Sequence, residues 1–198
     1  LGVREDAEGA VRLYYAVWSS QGFGNPDYAG ASDDEKRNSV WSIAITEDGD
    51  FDASSVRREF FLPDFFTDPA DIARAGRSNP VSDIAFPECI EQNVMLVAER
   101  GGVRNLGLDA EEPFAYPHEA RVLRYELDEK GVWQPIGRYD VGFYDRKNER
   151  APFLRANSSG GADFGYGYSV EWAIDLGKPD QFVWMTGDSR CSPFGPCF

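Results

Sequence analysis

The chain repeats itself at a spacing of 82 residues, and that repeat limits what it can fold into. Val40-Trp41-Ser42-Ile43-Ala44-Ile45 alternates and then enters Thr46-Glu47-Asp48-Gly49-Asp50-Phe51, as Val122-Leu123-Arg124-Tyr125-Glu126-Leu127 does before Asp128-Glu129-Lys130-Gly131-Val132-Trp133. In both copies a strand runs into an acidic turn with glycine at its fourth position and an aromatic residue two places on. That is the pattern of a hairpin whose glycine supplies a positive φ. Upstream, Leu13-Tyr14-Tyr15-Ala16-Val17-Trp18 lies over Val94-Met95-Leu96-Val97-Ala98-Glu99 at a spacing of 81, and Gln181-Phe182-Val183-Trp184-Met185-Thr186 repeats the pattern 87 residues further on.

The complete copy predicts four strands, Ser82 to Phe86, Val94 to Arg100, Ala120 to Leu127 and Trp133 to Val141. Four successive antiparallel strands per repeat is the make-up of a β-propeller blade, which buries its faces against its neighbours. The first copy is expected to lack its opening strand. The third keeps strands near Ala162 to Tyr166 and Phe182 to Thr186. The expected fold is therefore all-β, a partial β-propeller of about two and a half four-stranded antiparallel blades with long loops. Its segments are an incomplete blade at 1–62, a complete blade with its lead-in loop at 63–142 and an incomplete blade at 143–198. The competing architecture is a closed β-sandwich in which the repeat is coincidental. Composition agrees with short strands and turns, with 14% aromatic residues, 20 glycines and 12 prolines in 198 residues.

A chain of 20 Lys and Arg against 34 Asp and Glu, net charge −14, repels phosphate backbones and anionic headgroups, so nucleic acid is not an expected partner. No apolar run approaches the roughly 18 to 20 residues of a membrane-spanning helix. Leu1 carries neither a Met nor a signal-like segment before it, which predicts a processed or excised product. Two and a half blades leave unpaired edges and an uncovered face, so the expected partners are other chains or fragments that complete the propeller.

Three cysteines cannot all pair within the chain. Cys191 and Cys197 bracket a segment with two prolines and a glycine that is suited to turning back into a short disulfide loop, which would leave Cys89 near Phe86 in a blade core. The alternative is ordinary thiols in a reducing compartment. Glu47, Asp48, Asp50 and Asp52 would supply oxygen ligands to Ca²⁺ if their loop curled round an ion. The matched turn carries Lys130 and Val132 in place of Asp48 and Asp50, so the repeat itself asks only for a hairpin. No other cofactor is indicated.

The second-to-third-strand loops, Ser19 to Ser39 and Gly101 to Glu119, exceed the roughly 12 to 15 residues beyond which loops are commonly functional or disordered. Equivalent positions in successive blades would bring them to one end. Phe23, Asn25, Asp27, Tyr28, Arg104, Asn105, Phe114, Tyr116 and His118 are therefore candidates for a shared binding face, against the plainer reading that the loops cover blade ends. His118 stands beside Glu119, but no nucleophile is located for it to serve. Glu99 and Arg100 close a strand where an ion pair or an inter-blade contact is expected.

The run Asn157-Ser158-Ser159-Gly160-Gly161-Ala162-Asp163-Phe164-Gly165-Tyr166, followed by Phe182-Val183-Trp184-Met185-Thr186-Gly187-Asp188, resembles blade segments of large exported bacterial proteins with propeller-like repeats. Pro80-Val81-Ser82-Asp83-Ile84-Ala85-Phe86, followed by Met95-Leu96-Val97-Ala98-Glu99-Arg100-Gly101, does so too. The resemblance implies an extracytoplasmic bacterial setting, secreted, cell-surface or periplasmic, and carries no catalytic motif. The expected function is a non-catalytic scaffold or binding module within a larger assembly. The alternative is part of a propeller hydrolase or dehydrogenase whose site needs residues from other blades.

Overall fold

The computed structural model describes residues 1–6, 8–19, 28–69, 72, 76–89, 93–100, 120–142 and 156–187. Among the described residues its regular structure is all-β apart from short 3-10 turns at Tyr28–Gly30 and Asp34–Lys36 and helical residues at Pro69 and Ile72. A first antiparallel sheet has the order β1 (Gly2–Glu5), β2 (Val11–Val17), β3 (Ser39–Ile45), β4 (Phe51–Phe61). A second repeats it with β5 (Val81–Ala85), β6 (Val94–Glu99), β7 (Val122–Leu127) and β8 (Trp133–Tyr139). A third layer pairs β9 (Ser158–Gly165) with β12 (Phe182–Gly187), and between them a small hairpin pairs β10 (Gly167–Tyr168) with β11 (Ile174–Asp175).

The first sheet thus has four strands where the sequence predicts three. Its opening strand, Gly2-Val3-Arg4-Glu5, offers one large apolar side chain and forms by pairing with β2, Val3 opposite Leu13. Pairing also refines the repeat. Leu13 lies opposite Ile43 and Met95 opposite Tyr125, so the 82-residue spacing of the turns holds through the preceding strand, which shifts the spacing of 81 by one.

The two hairpin turns are the same structure. Thr46 N–H donates to the Asp50 carbonyl at 2.8 Å and Gly49 N–H to the Thr46 carbonyl at 2.9 Å; Asp128 and Gly131 make the matching bonds to Val132 and Asp128, both at 2.9 Å. Gly49 and Gly131 have φ of 85° and 73°, a conformation that costs a side-chain-bearing residue energy and glycine little.

Alternation along the strands builds a stack of three layers. Tyr14, Val40, Leu62 and Phe60 of the first sheet and its exit pack against Ile84, Met95, Val97, Leu123, Tyr125 and Trp133 of the second. The next residues along the second sheet, Ala85, Leu96, Ala98 and Val122, face the other way and meet Ala162, Phe164, Val183 and Met185 of the third layer. Strand β6 is buried on both faces, which is why it reads as an unbroken apolar run. Aromatic rings join the first two sheets: Phe60 stacks on Tyr125 at 4.1 Å between centroids, and Tyr14 meets Phe86 at 4.8 Å and the edge of Trp133 at 6.2 Å.

The third layer corrects the 87-residue spacing. Val183 and Met185 face the second sheet as Met95 and Val97 face the first, so the spacing is even, 86 or 88, and not 87. A slip of one residue exchanges the faces of a strand, and Phe182 and Trp184 accordingly point outward.

Burial holds the Tyr125 phenol above its ordinary pKa, and its oxygen has no hydrogen-bond partner among the described residues. A buried polar group left unpaired costs about 1–3 kcal/mol. Tyr125→Phe keeps the ring on Phe60 and removes that cost, so we expect unfolding midpoints in urea equal to or higher than those of the parent. A loss of more than about 1 kcal/mol would mean that the hydroxyl has a partner.

Candidate functional site

The sequence places its main site on the two long loops. Phe23, Asn25, Asp27, Arg104, Asn105, Phe114, Tyr116 and His118 lie outside the described residues, as do Cys191 and Cys197, while Tyr28 opens the first 3-10 turn. What is described of the first loop is tied to its own sheet end. Buried Asn38 accepts from Ser19 N–H at 2.9 Å and donates to the carbonyls of Ser78 and Asn79 at 3.0 and 3.1 Å. Asp33 and Asp34 pair with Arg77 and Arg58 at 3.2 and 3.3 Å, and Arg77 also holds Asp64 at 2.8 Å. Arg37 and Arg58 both lie over the Phe61 ring, at 4.7 and 3.9 Å. These contacts anchor the second half of the loop over the end of the first sheet, as a cover would be anchored.

Around the acidic turn, Asp52 is engaged locally. The Ser54 hydroxyl and N–H donate to its carboxylate at 2.6 and 2.9 Å, and these bonds hold its pKa below the usual carboxylate range. Among the described residues no three His, Cys, Asp or Glu side chains converge in a way that could hold a metal ion. Cys89 is half-buried in the segment after β5, where its N–H and that of Glu88 donate to Asp180 at 2.9 and 3.0 Å.

Glu99 forms a buried ion pair, but its partner is Arg121 and not the adjacent Arg100. The Glu99 carboxylate, 0% exposed, accepts from Arg121 Nη2 at 2.6 Å and Nε at 2.8 Å, and also from the Arg121 N–H at 3.2 Å. The same guanidinium donates to the Pro63 carbonyl at 2.9 Å and lies 4.8 Å over Phe65. Both carboxylate oxygens and the Nε and Nη2 of the guanidinium are engaged within the fold. The pair clamps the exit of the first sheet to the second.

Among the described residues three surfaces stand out. The outer face of the first sheet carries Val3, Leu13, Tyr15, Trp41 and Ile43. The hairpin between β9 and β12 exposes Val170, Trp172, Ile174 and Leu176, a feature the sequence reading missed because it has no counterpart in the other repeats. The third is a cavity of about 420 Å³ between the second sheet and β12, lined by Val94, Arg124, Tyr139, Phe164, Val183 and Met185, with Asp180, Gln181 and Phe182 along its rim. Beside it, on the outward face of the third layer, Asp83, Asp163, Trp184 and Thr186 line a more open hollow. These surfaces offer shape and apolar contact, and in the hollow the Thr186 hydroxyl accepts from Gly161 N–H at 2.8 Å. No helix among those residues is long and apolar enough to cross a membrane. No protein-family model, curated protein or solved structure matches the chain.

Proposed function

We propose that the chain is a non-catalytic, propeller-type scaffold that works by stacking and by binding other proteins within a larger assembly. One observation carries the reading: the step from the first sheet to the second is taken again from the second to the third layer, with equivalent residues on equivalent faces. A step that repeats between layers leaves a donor face at one end of the stack and an acceptor face at the other, as in other arrays whose units bury their surfaces only against neighbours. Ring closure into a propeller removes both ends. The resemblance to exported bacterial repeat proteins supports an extracytoplasmic setting for such an assembly.

The open apolar faces predict the solution behaviour of the isolated 22.1 kDa chain. Sedimentation velocity over a range of concentrations should show a self-associating species, because uncovered sheet faces of this kind are seldom tolerated by monomers. A compact, monodisperse monomer that unfolds cooperatively overturns the proposal.

A further inference from the structure

The two interfaces of the stack fill equivalent positions differently. The 82-residue spacing sets Ser42 over Arg124 and Arg12 over Val94. By strand alternation these residues share the face turned to the next layer, with Tyr14 and Val40 in the first sheet and with Leu96 and Val122 in the second. At the first interface the buried guanidinium of Arg12 finds its acceptors inside the fold. Its Nε donates to the Ser42 hydroxyl at 3.0 Å and its Nη2 to the Ser55 carbonyl at 2.8 Å. Ser42 in turn donates to the carboxylate of Glu59, which also accepts from Arg57 Nε at 2.9 Å. The chain itself provides the carboxylate that closes off the charge at that level.

At the second interface the arginine stands on the third strand instead of the second, and the cavity of about 420 Å³ lies beside it. Arg124 gives Nη2 to Glu126 at 2.9 Å, while its Nε, shielded from solvent, has no partner among the described residues. A buried donor left bare is unfavourable and calls for an acceptor. The cavity has the volume of a small-molecule site, for which roughly 300–1,000 Å³ is usual, and Tyr139, Phe164, Val183 and Met185 give it an apolar wall. Asp180 stands at its rim, its carboxylate oriented by the N–H groups of Glu88 and Cys89 at 3.0 and 2.9 Å. Two such bonds leave lone pairs for a further donor.

These groups select by charge. A plain anion that paired with Arg124 would meet Asp180 and the field of a chain with net charge −14, and a plain cation that paired with Asp180 would meet Arg124. A zwitterion answers both and carries no net charge. We infer that the cavity is a binding site for a free α-amino acid with a large apolar side chain. The ligand carboxylate accepts from Arg124, its ammonium donates to Asp180, and its side chain lies against Tyr139, Phe164, Val183 and Met185. The site is built between two layers of one chain, so it stands whether or not further units extend the stack.

The chain's two methionines divide the test between them. Met185 lines the cavity, whereas Met95 is buried on the opposite face of the second sheet, against the first. With the methionine methyl groups of the intact chain isotope-labelled, and their two NMR signals assigned through Met185→Leu, titration with L-phenylalanine should move the Met185 signal saturably and leave Met95 in place. Phenethylamine, which lacks the carboxylate, and hydrocinnamate, which lacks the ammonium, should each bind at least about tenfold more weakly, the loss of one charge-assisted contact. Arg124→Gln should weaken phenylalanine by a similar factor; that side chain is 39% exposed, and an unmoved Met95 signal reports an intact fold. Should the variant fail to fold, the analogue series on the unaltered chain decides alone. A Met185 signal that stays still up to about 10 mM phenylalanine, equal binding of phenylalanine and either analogue, or movement of Met95 along with Met185 overturns the inference.

Discussion

Replacing Glu99 with alanine should lower the stability of the chain by about 3–5 kcal/mol, the typical cost of removing one member of a buried ion pair. The magnitude follows from what is left behind. Arg121, with a side chain 7% exposed, keeps its Pro63 contact but loses two short charge-assisted bonds and the one carboxylate that pairs with it among the described residues. A guanidinium cannot shed its charge as a buried lysine does, so the penalty stays in the folded state. Removing both partners behaves differently. Glu99→Leu combined with Arg121→Met replaces the pair by apolar volume and should unfold within about 1–2 kcal/mol of the parent, on either side. Urea midpoints of the three variants form the measurement. A single Glu99→Ala change costing less than about 1 kcal/mol would show that water reaches the pair and that the clamp between the sheets is not closed.

That clamp also shows where sequence reading stops. An ion pair at Glu99 is legible because a charged residue ends a run that is otherwise buried on both faces, and such a charge needs a partner. Arg121 is not legible as that partner: the adjacent Arg100 is the nearer candidate in sequence, and only the antiparallel return of β7 beside β6 carries Arg121 to it. The hairpins at Gly49 and Gly131 are readable for the opposite reason, since turn chemistry is local and both glycines do what their neighbours require. Strand β1 was missed because four residues with a single large apolar side chain carry too little periodicity, and its formation depends on pairing with β2. The third layer slipped by one residue because Phe182, Val183, Trp184 and Met185 are apolar on both faces and give alternation nothing to grip. The binding-loop residues were inferred from loop length, and that argument places a surface without identifying what binds it.

The same repeat position should respond in opposite ways at the two turns. Phe51 and Trp133 are equivalent, each two residues after its hairpin glycine and opposite Ile45 and Leu127 respectively. Trp133 is 2% exposed, packed on Tyr14 and Phe86 with the Arg4 guanidinium 5.4 Å from its ring, whereas Phe51 is 60% exposed, with no sheet over its face among the described residues. Trp133→Ala opens a cavity at the junction of the first two sheets and should cost about 3–5 kcal/mol. Phe51→Ala removes a side chain that is mostly in water and should change stability by no more than about 0.5 kcal/mol. The contrast turns the stacking reading into a measurement on one chain, since intrinsic strand propensity and turn type are shared and the covering layer is the main difference. Equal losses at the two sites would mean that something already covers the face of the first sheet in the isolated chain. A Phe51→Ala variant that unfolds like the parent when dilute, yet is several-fold poorer at self-association, would place Phe51 in the contact that continues the stack.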